Sequence, residues 1–428
     1  NNPVAGAFRG FGAPQAHAAI EQVIDELARI AGFDPLEFRL KNAVSRGDTT
    51  PSGVTLTQST GILACLETAR DSAAWRERER WESLAPPFKK RGTGIAAINH
   101  GIGYGPVIPD NANAKIELTG EGRLIIYAGV SDMGQGNAAT YLQIAGDILS
   151  QTLDNMELVL PDTAQTLPSG SSSASRTTFT FGNALIGAAQ ALRKRILERA
   201  SLLFTYQFFE HVRAEDLGLV PGHVRHIPTG REIHLSFVST TMDQSERTAA
   251  NSYTCPVNRQ KPPTGGSLRI HGYPHRVYSF GVNLVRLEAD ILTGEVTVCD
   301  FIAFTDAGRI INPELFDQQV HGGIAQGLGY TLFEDFLVSE GRILTGDFGA
   351  YILPTALDIP DIQSIAIPLQ EEDGPYGMKG VGEITINGAF PAVANALARV
   401  CKTRISSGPL TAEKVLAAIS RNEVGKNR

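Results

Sequence analysis

The 428-residue sequence predicts a mixed α+β fold built from more than one packed unit. Three observations carry this. Apolar residues recur at helical spacing near the start, through the middle and near the end. Short alternating runs bounded by glycine turns lie between them and read as strands. Strands and helices do not alternate regularly, and no repeat of fixed period is present, so neither a regular α/β sheet nor a solenoid is indicated.

The first helix spans residues 14–31, with Ala18, Ile20, Val23, Ile24, Leu27, Ala28 and Ala31 near a 3.6-residue period. Gly32 stops it, and Asp34-Pro35 opens a second short helix through Leu40 and Val44. A third helix fits residues 60–74. Residues 75–91 are charged and hold Pro86-Pro87, which marks a linker or boundary. From Gly92 the pattern turns to strands: Ile95, Ala97 and Ile98, then a hairpin of residues 114–118 and 124–130 around Gly120-Glu121-Gly122. A glycine-bearing turn at 132–136 leads into a helix over 138–149. A strand at 157–160 precedes a serine-rich turn at 169–176 and a long helix over about 181–204. Residues 205–275 are irregular and read as an excursion with a few strands. Residues 282–288 alternate as a strand, 292–295 turn, and 296–304 return. A helix over 313–333, strands near 362–367, a Gly-rich turn at 377–382, a helix over 391–400 and a short closing helix follow.

Composition narrows the function. The chain is 42% hydrophobic and 19% charged, as expected of globular cores. Its net charge of -7 argues against nucleic acid or an anionic membrane as the main partner. No run reaches the roughly 18 apolar residues of a membrane helix. Cys65, Cys255, Cys299 and Cys401 form no CxxC pair, so this chain alone builds no iron–sulfur or structural zinc site, and a reducing, cytoplasmic setting fits. His223 with His226, and His271 with His275, lie close in sequence. No acidic or Cys ligand joins them at metal-ligand spacing, so both read as packing histidines.

Four segments could carry chemistry. Ala7-Phe8-Arg9-Gly10-Phe11-Gly12-Ala13-Pro14 is a glycine loop ending at a helix start, where free N–H groups and the Arg9 fork suit an anion and Phe11 offers a flat face. It reads equally as a tight turn with a solvated Arg. In Asp132-Met133-Gly134-Gln135-Gly136 two glycines let backbone approach a ligand, and Gln135 both donates and accepts, as a ring edge requires. An ordinary strand-to-helix turn has the same look. The serines of residues 169–175 offer a dense donor surface, or a flexible loop. Glu383 ends Gly377-Met378-Lys379-Gly380-Val381-Gly382-Glu383. If partly buried it would have a raised pKa and could act as a base, although a surface Glu after a turn is the simpler reading. Glu371, Glu372 and Asp373 look like a solvated loop.

Together these motifs resemble the molybdopterin-binding subunit of the xanthine dehydrogenase and aldehyde oxidase family, over residues 6 to about 418. The resemblance rests on Phe8-Arg9-Gly10-Phe11-Gly12, Met133-Gly134-Gln135-Gly136, Ser173-Ala174-Ser175-Arg176, Asp306-Ala307-Gly308 with Ile311-Asn312-Pro313, Gln319 with Gln326-Gly327-Leu328-Gly329, and Lys379-Gly380-Val381-Gly382-Glu383. It implies the mixed α/β molybdenum-cofactor domains of that family's large subunit. Residues 1–91 would be the end of the first such domain with a linker, and residues 92–428 the second, with the excursion at about 205–275.

The resemblance also implies roles. Arg9 and Ala174 would have backbone atoms near the molybdenum, and Gly10 would help bind the cofactor. Met133, Gly134, Gln135, Gly136, Ser175 and Gln319 would bind molybdopterin, expected in its cytosine dinucleotide form, and Phe11 would stack on substrate. Glu383 would be the base that deprotonates a water-derived nucleophile attacking an electron-poor carbon. Purine- or pyridine-like rings lead as substrates, with aldehydes the alternative. A non-catalytic, cofactor-binding role is a distant third. Electrons would leave through 2Fe-2S clusters to FAD on partner chains, within a larger heteromer. The Gly-Gly-Phe-Gly-Gly loop and a further Gln of the family's first half are not found, so a chain carrying that half is expected as another partner. The Phe8-Arg9-Gly10-Phe11 loop lacks the cysteine of carbon monoxide dehydrogenases. His321 stands where the family often has an acid, and Ile384 follows Glu383 where Pro often comes soon after.

Overall fold

The computed structural model describes residues 6–50, 54–105, 108–258 and 275–426, with side chains to residue 421. Its main helices are α1 (Ala13–Ile30), α2 (Pro35–Asn42), α3 (Ile62–Asp71), α4 (Asn137–Leu149), α5 (Gly182–Phe208), α6 (Pro313–Leu332), α7 (Ala389–Cys401) and α8 (Ala412–Lys426). Its main strands are β1 (Lys89–Gly101), β2 (Asn111–Leu118), β3 (Leu124–Ala128), β4 (Met156–Val159), β5 (Thr248–Thr254), β6 (Tyr278–Asp290), β7 (Val296–Asp306) and β8 (Ile362–Ile367). The expected α+β class is what the chain adopts.

Two four-stranded mixed sheets organise it. In the first, order β1–β6–β7–β8, β6 is antiparallel to both neighbours and β8 is parallel to β7. Consequently β1 and β7 both run toward one edge, which becomes the floor of the site. Ala392, Ala396, Val400, Phe316 and Leu328 of α6 and α7 bury one face with Val285 and Phe301. Leu36, Leu66 and Trp75 bury the other with Ile95, Val282 and Phe304. The second sheet, β4–β3–β2–β5, is covered by α4 and α5 through Tyr141, Leu185, Leu192 and Phe204.

Several expectations change. Residues 75–91 are not an open linker: Ala73–Arg76 and Arg78–Ser83 are helical turns and Trp75 is 4% exposed. The charges that made this stretch look solvated are paired, Arg78 with Asp34 at 2.6 Å and Arg91 with Glu288 at 2.7 Å, and Arg91 and Arg286 flank the Trp81 ring. The excursion forms a small antiparallel sheet, Leu217–Val220, His223–His226 and Glu232–His234, and then supplies β5 to the second sheet. His226 packs there and bonds Thr229, while His271 lies outside the described residues. Glu371 is fully buried, its Oε2 accepting from Ser59 Oγ at 2.8 Å, and Asp373 pairs with Arg276; Glu372 alone of those three extends into solvent.

Helix α1 buries only part of its apolar period, with Ala28 fully buried and Ile24 half-buried. Ile20, Val23, Leu27 and Ile30 form one outward stripe, each at least half exposed. The inner face docks through charge: Glu21 Oε2 accepts from Arg39 Nε at 2.8 Å and from the Ala97 N–H at 2.7 Å, and Asp25 pairs with Arg404. Among the described residues no helix is long and apolar enough to cross a membrane.

Glycines set the closest packing. A β-carbon at Gly94 would lie 2.1 Å from Ala392 O, so α7 rests directly on the β1 backbone. Gly94→Ala is therefore expected to lower stability by about 1–3 kcal/mol or more through overpacking. Calorimetric unfolding would read this as a clear fall in Tm, and an unchanged Tm would show that α7 is not seated on β1.

Candidate cofactor and catalytic site

At the end of β7, Asp306 is fully buried. Its Oδ2 accepts from Lys379 Nζ at 2.6 Å and from the Gly61 N–H at 3.1 Å. Lys379, 1% exposed, also donates to Ser59 O. The backbones join as well, with the Lys379 N–H on Ala307 O at 2.8 Å and a bridge between Gly308 and Met378. Burial pushes the Asp306 carboxyl above its ordinary value while Lys379 pulls it back.

From this anchor the chain passes Gly380, where a β-carbon would sit 1.8 Å from Ser175 O. The 377–383 loop thus lies flat on the serine-rich loop. There Ala174 and Ser175 both hold positive φ, 53° and 52°. Such geometry costs a non-glycine residue about 1–3 kcal/mol and persists only where neighbours impose it. Ala174 O accepts from the Gly103 N–H at 2.8 Å. Arg176, 1% exposed, grips Asp110 and donates to Ser169 O, Ser171 O and Asn111 O. So held, Ser175 Oγ accepts from the Glu383 N–H at 3.0 Å and faces Glu383 Oε2 at 3.4 Å.

The Glu383 carboxylate also meets His100 Nε2, from the end of β1, at 3.1 Å, and the Gly10 N–H donates to it. Burial is the largest influence on this carboxyl and raises it. The hydrogen bond and attraction of His100, the Gly10 N–H and Ser175 Oγ together outweigh burial and hold Glu383 below its ordinary value. The upward shift expected of a partly buried Glu383 is thereby reversed, because the donors come from residues far away in the chain.

Arg9 links the first loop to this centre. Nε donates to Gly382 O, Nη1 to Gln326 Oε1 at 3.2 Å, and Nη2 to both Gln319 O and Gln319 Oε1 at 3.1 Å. Its fork thus grips protein where an anion was anticipated. Burial pulls its pKa down and Glu383 pulls it up. Helix α6 comes close enough because Gly323 faces Thr385 and Gly327 faces Ala389, with no room for a β-carbon at either.

A cavity of about 140 Å³ opens beside the centre, lined by Gln135, Asn137, Ser175, Asn312, Gln319 and residues 378–382 among others. Three candidate residues from three separate motifs therefore share one wall. Met133 and Gly134 sit at the exposed tip of their loop and outside that wall. The Gln135 amide folds back on the loop, its Oε1 accepting from the Met133 N–H and its Nε2 donating to Ser131 O at 3.1 Å. Asp132 accepts from the Gly134, Gly136 and Ala138 N–H groups. Phe11, 78% exposed, lies in a separate wide cleft of about 800 Å³ with Phe8, Arg9, Tyr330, Tyr351 and Phe390. His321 points to solvent from α6, and Ile384 is buried at the start of the helical turn Ile384–Asn387. Sequence reasoning missed His100, Asn137 and Asn387. Only the Asn137 position, directly after the Met133–Gly136 motif, carried a local signal.

Two models described as molybdopterin cofactor-binding domains match this chain, one over residues 68–360 and one over residues 1–43. The chain belongs to the molybdopterin cofactor-binding domain family. It is 32% identical over 421 residues to a probable xanthine dehydrogenase component from Bacillus subtilis, covering 98% of this chain and 54% of that protein. It is 30% identical over 423 residues to the aldehyde oxidoreductase of Megalodesulfovibrio gigas, covering 96% and 41%. The solved quinoline 2-oxidoreductase of Pseudomonas putida 86 superposes with a TM-score of 0.81 at 25% identity, covering 97% of this chain and 53% of that one. The resemblance read from the motifs is borne out. The chain spans about half the length of the curated relatives it matches.

Lys379→Met would leave Asp306 buried and unpaired, and is expected to destabilise by about 3–5 kcal/mol. Denaturant unfolding reads this directly; unaltered stability would mean the pair anchors nothing. A second expectation concerns pH. A carboxyl depressed in the folded state stabilises above its unfolded pKa, and that contribution is lost as pH falls through the folded value. The Tm difference between wild type and Glu383→Gln should therefore hold steady near neutrality and shrink as pH falls below the ordinary carboxyl value of 4.5. A difference that grows on acidification would contradict the depressed pKa.

Proposed function

We propose that this chain forms half of a molybdenum-cofactor pocket in a hydroxylase that adds water-derived oxygen to an N-heteroaromatic ring, with Glu383 as the base. The observation that carries this is the position of the Glu383 carboxylate. It stands where the Arg9–Gly10 loop, the Ala174–Ser175 loop and the Gln319 helix converge, next to the cavity that Gln135, Ser175 and Gln319 line.

The residues present fit molybdopterin. Asn137 lines the cavity and its buried Nδ2 has no partner, which a polar ring edge would supply. Gln135, Gly136, Ser175 and Gln319 would hold the group, with Met133 and Gly134 on its phosphate side and the Arg9, Gly10 and Ala174 backbone toward the metal. When bound, the cofactor supplies the two-electron redox centre. The chain's own residues position and deprotonate. Glu383, ionised at neutral pH, accepts a proton at its carboxylate. Ser175 and Gly10 hold that carboxylate in place, and Arg9 fixes the loop before α1 against Gly382. Phe11 in its aromatic-lined cleft suits a flat ring.

Partners follow on the same reading. The four cysteines form no CxxC pair and three are buried, so 2Fe-2S clusters would lie on other chains or domains, with FAD beyond them, and a reducing cytoplasmic setting fits. The complementary half of the relatives' subunit would cover the outward stripe of α1 and the exposed Phe336, Phe348 and Leu357. Residues 1–91 would then close the first cofactor domain and residues 92–428 form the second. The cytosine dinucleotide form of the cofactor belongs to this proposal too. An aldehyde-oxidising activity is the second reading, favoured by the 30% identity to an aldehyde oxidoreductase.

In the complete enzyme, Glu383→Gln should retain molybdenum and lose about 10²–10⁴-fold in kcat, the usual worth of a positioned general base. Full turnover with full metal would refute the assignment. Rates on a quinoline- or purine-like ring against an aldehyde distinguish the two substrate readings.

A further inference from the structure

Beyond the residues assigned so far, the base has a partner that must itself be oriented. His100 lies 283 positions from Glu383 in the sequence, yet Nε2 sits 3.1 Å from Oε2 with both side chains largely buried. Its other ring nitrogen, Nδ1, faces Asn387 Nδ2 at 3.3 Å. That amide is anchored, because Asn387 Nδ2 also donates to Asn99 O at 3.1 Å. Rotating the amide would set its oxygen against the Asn99 carbonyl. The second N–H of Asn387 is therefore left to meet Nδ1, and Nδ1 must accept. An imidazole that accepts at Nδ1 carries its proton on Nε2, which is the nitrogen facing the carboxylate.

We propose that His100 is the positioning residue of Glu383, its ring held by Asn387 so that Nε2 presents its proton to the carboxylate. The inference rests on the reading of Glu383 as the base. The donor steadies the ionised carboxylate and fixes its direction toward the reacting group, as second partners do for catalytic and metal-bound side chains elsewhere. Because it stabilises the anion more than the acid, it also sets how far the pH can fall before the base is lost.

Other titratable groups face the pair from each neighbouring element. Arg9 comes from the loop before α1, with Glu383 in its field. His17 comes from α1 and bonds Asn99 Oδ1 at 3.2 Å. His275 comes from the segment before β6 and bonds Ile102 O at 3.2 Å. Glu21 and Asp110 stand behind these two histidines. Burial holds His17 and His275 below the ordinary imidazole value, so both are neutral at neutral pH.

The test compares His100→Phe, His100→Gln and Asn387→Ala in the complete enzyme. An infrared titration follows the carboxyl C=O band that disappears in Glu383→Gln, which gives the protonation midpoint of Glu383 without turnover. In His100→Phe that midpoint should rise, and the acid limb of kcat/KM should rise with it. The loss, about 10²-fold as for other small misplacements, should fall on kcat more than on KM. His100→Gln, whose amide still donates, should recover much of both. Asn387→Ala, which frees the other tautomer, should move the midpoint in the same direction and gives the reading if His100→Phe does not assemble. An unmoved midpoint in His100→Phe or Asn387→Ala, with molybdenum retained, overturns the proposal. Should Glu383→Gln prove fully active, the base assignment fails, yet a shifted midpoint would still support the pairing.

Discussion

The buried ion pair of Lys379 and Asp306 joins the end of a central strand to the loop that carries Glu383. Both groups are out of water, so each is tolerable only while the other is present. Lys379 also reaches Ser59 O, and Asp306 also takes the Gly61 N–H. The segment before α3, the strand β7 and the loop at 377–383 thereby meet at one point. An apolar substitute could fill the same volume, but it would not specify which loop meets which strand. A charged pair with directed hydrogen bonds does.

From that point the geometry propagates through contacts too close for side chains. Gly380 rests on Ser175 O, Gly323 on Thr385 and Gly94 on α7. The positive φ values of Ala174 and Ser175 are tolerated because Arg176 and Gly103 grip the loop on both sides. Arg9 then ties the first loop to Gly382 and α6. A carboxylate so surrounded is both buried and well supplied with donors. The donors win, which is why Glu383 is an anion at neutral pH even without a solvent-exposed position.

The legible part of the molecule was the part encoded locally. Helices α1, α4, α5, α6 and α7 have their period or their turn residues in the sequence, and the glycine loops announced the candidate site because backbone conformation demands those glycines. What sequence could not show was long-range. Arg9 reads as a free fork, yet its partners at Gln319 and Gln326 lie more than 300 positions away. Glu371 reads as solvent-facing, yet Ser59 buries it. His100 has no motif at all and matters only because β1 ends where Glu383 stands. Helix α1 shows the inverse failure: its apolar period is real, but Ile20, Val23, Leu27 and Ile30 face outward while Glu21 and Ala28 face the fold.

On the proposed function, Glu383, the Ala174–Ser175 loop and the Arg9–Gly10 loop surround one metal. Anomalous scattering recorded across the molybdenum edge on crystals of the assembled enzyme tests it most directly. The predicted result is a single molybdenum peak facing the Glu383 carboxylate, with the backbone of Ala174 and Gly10 around it and the cavity walled by Gln135 and Gln319 holding the pterin. A peak elsewhere in the molecule, with Glu383 facing only protein, would contradict it.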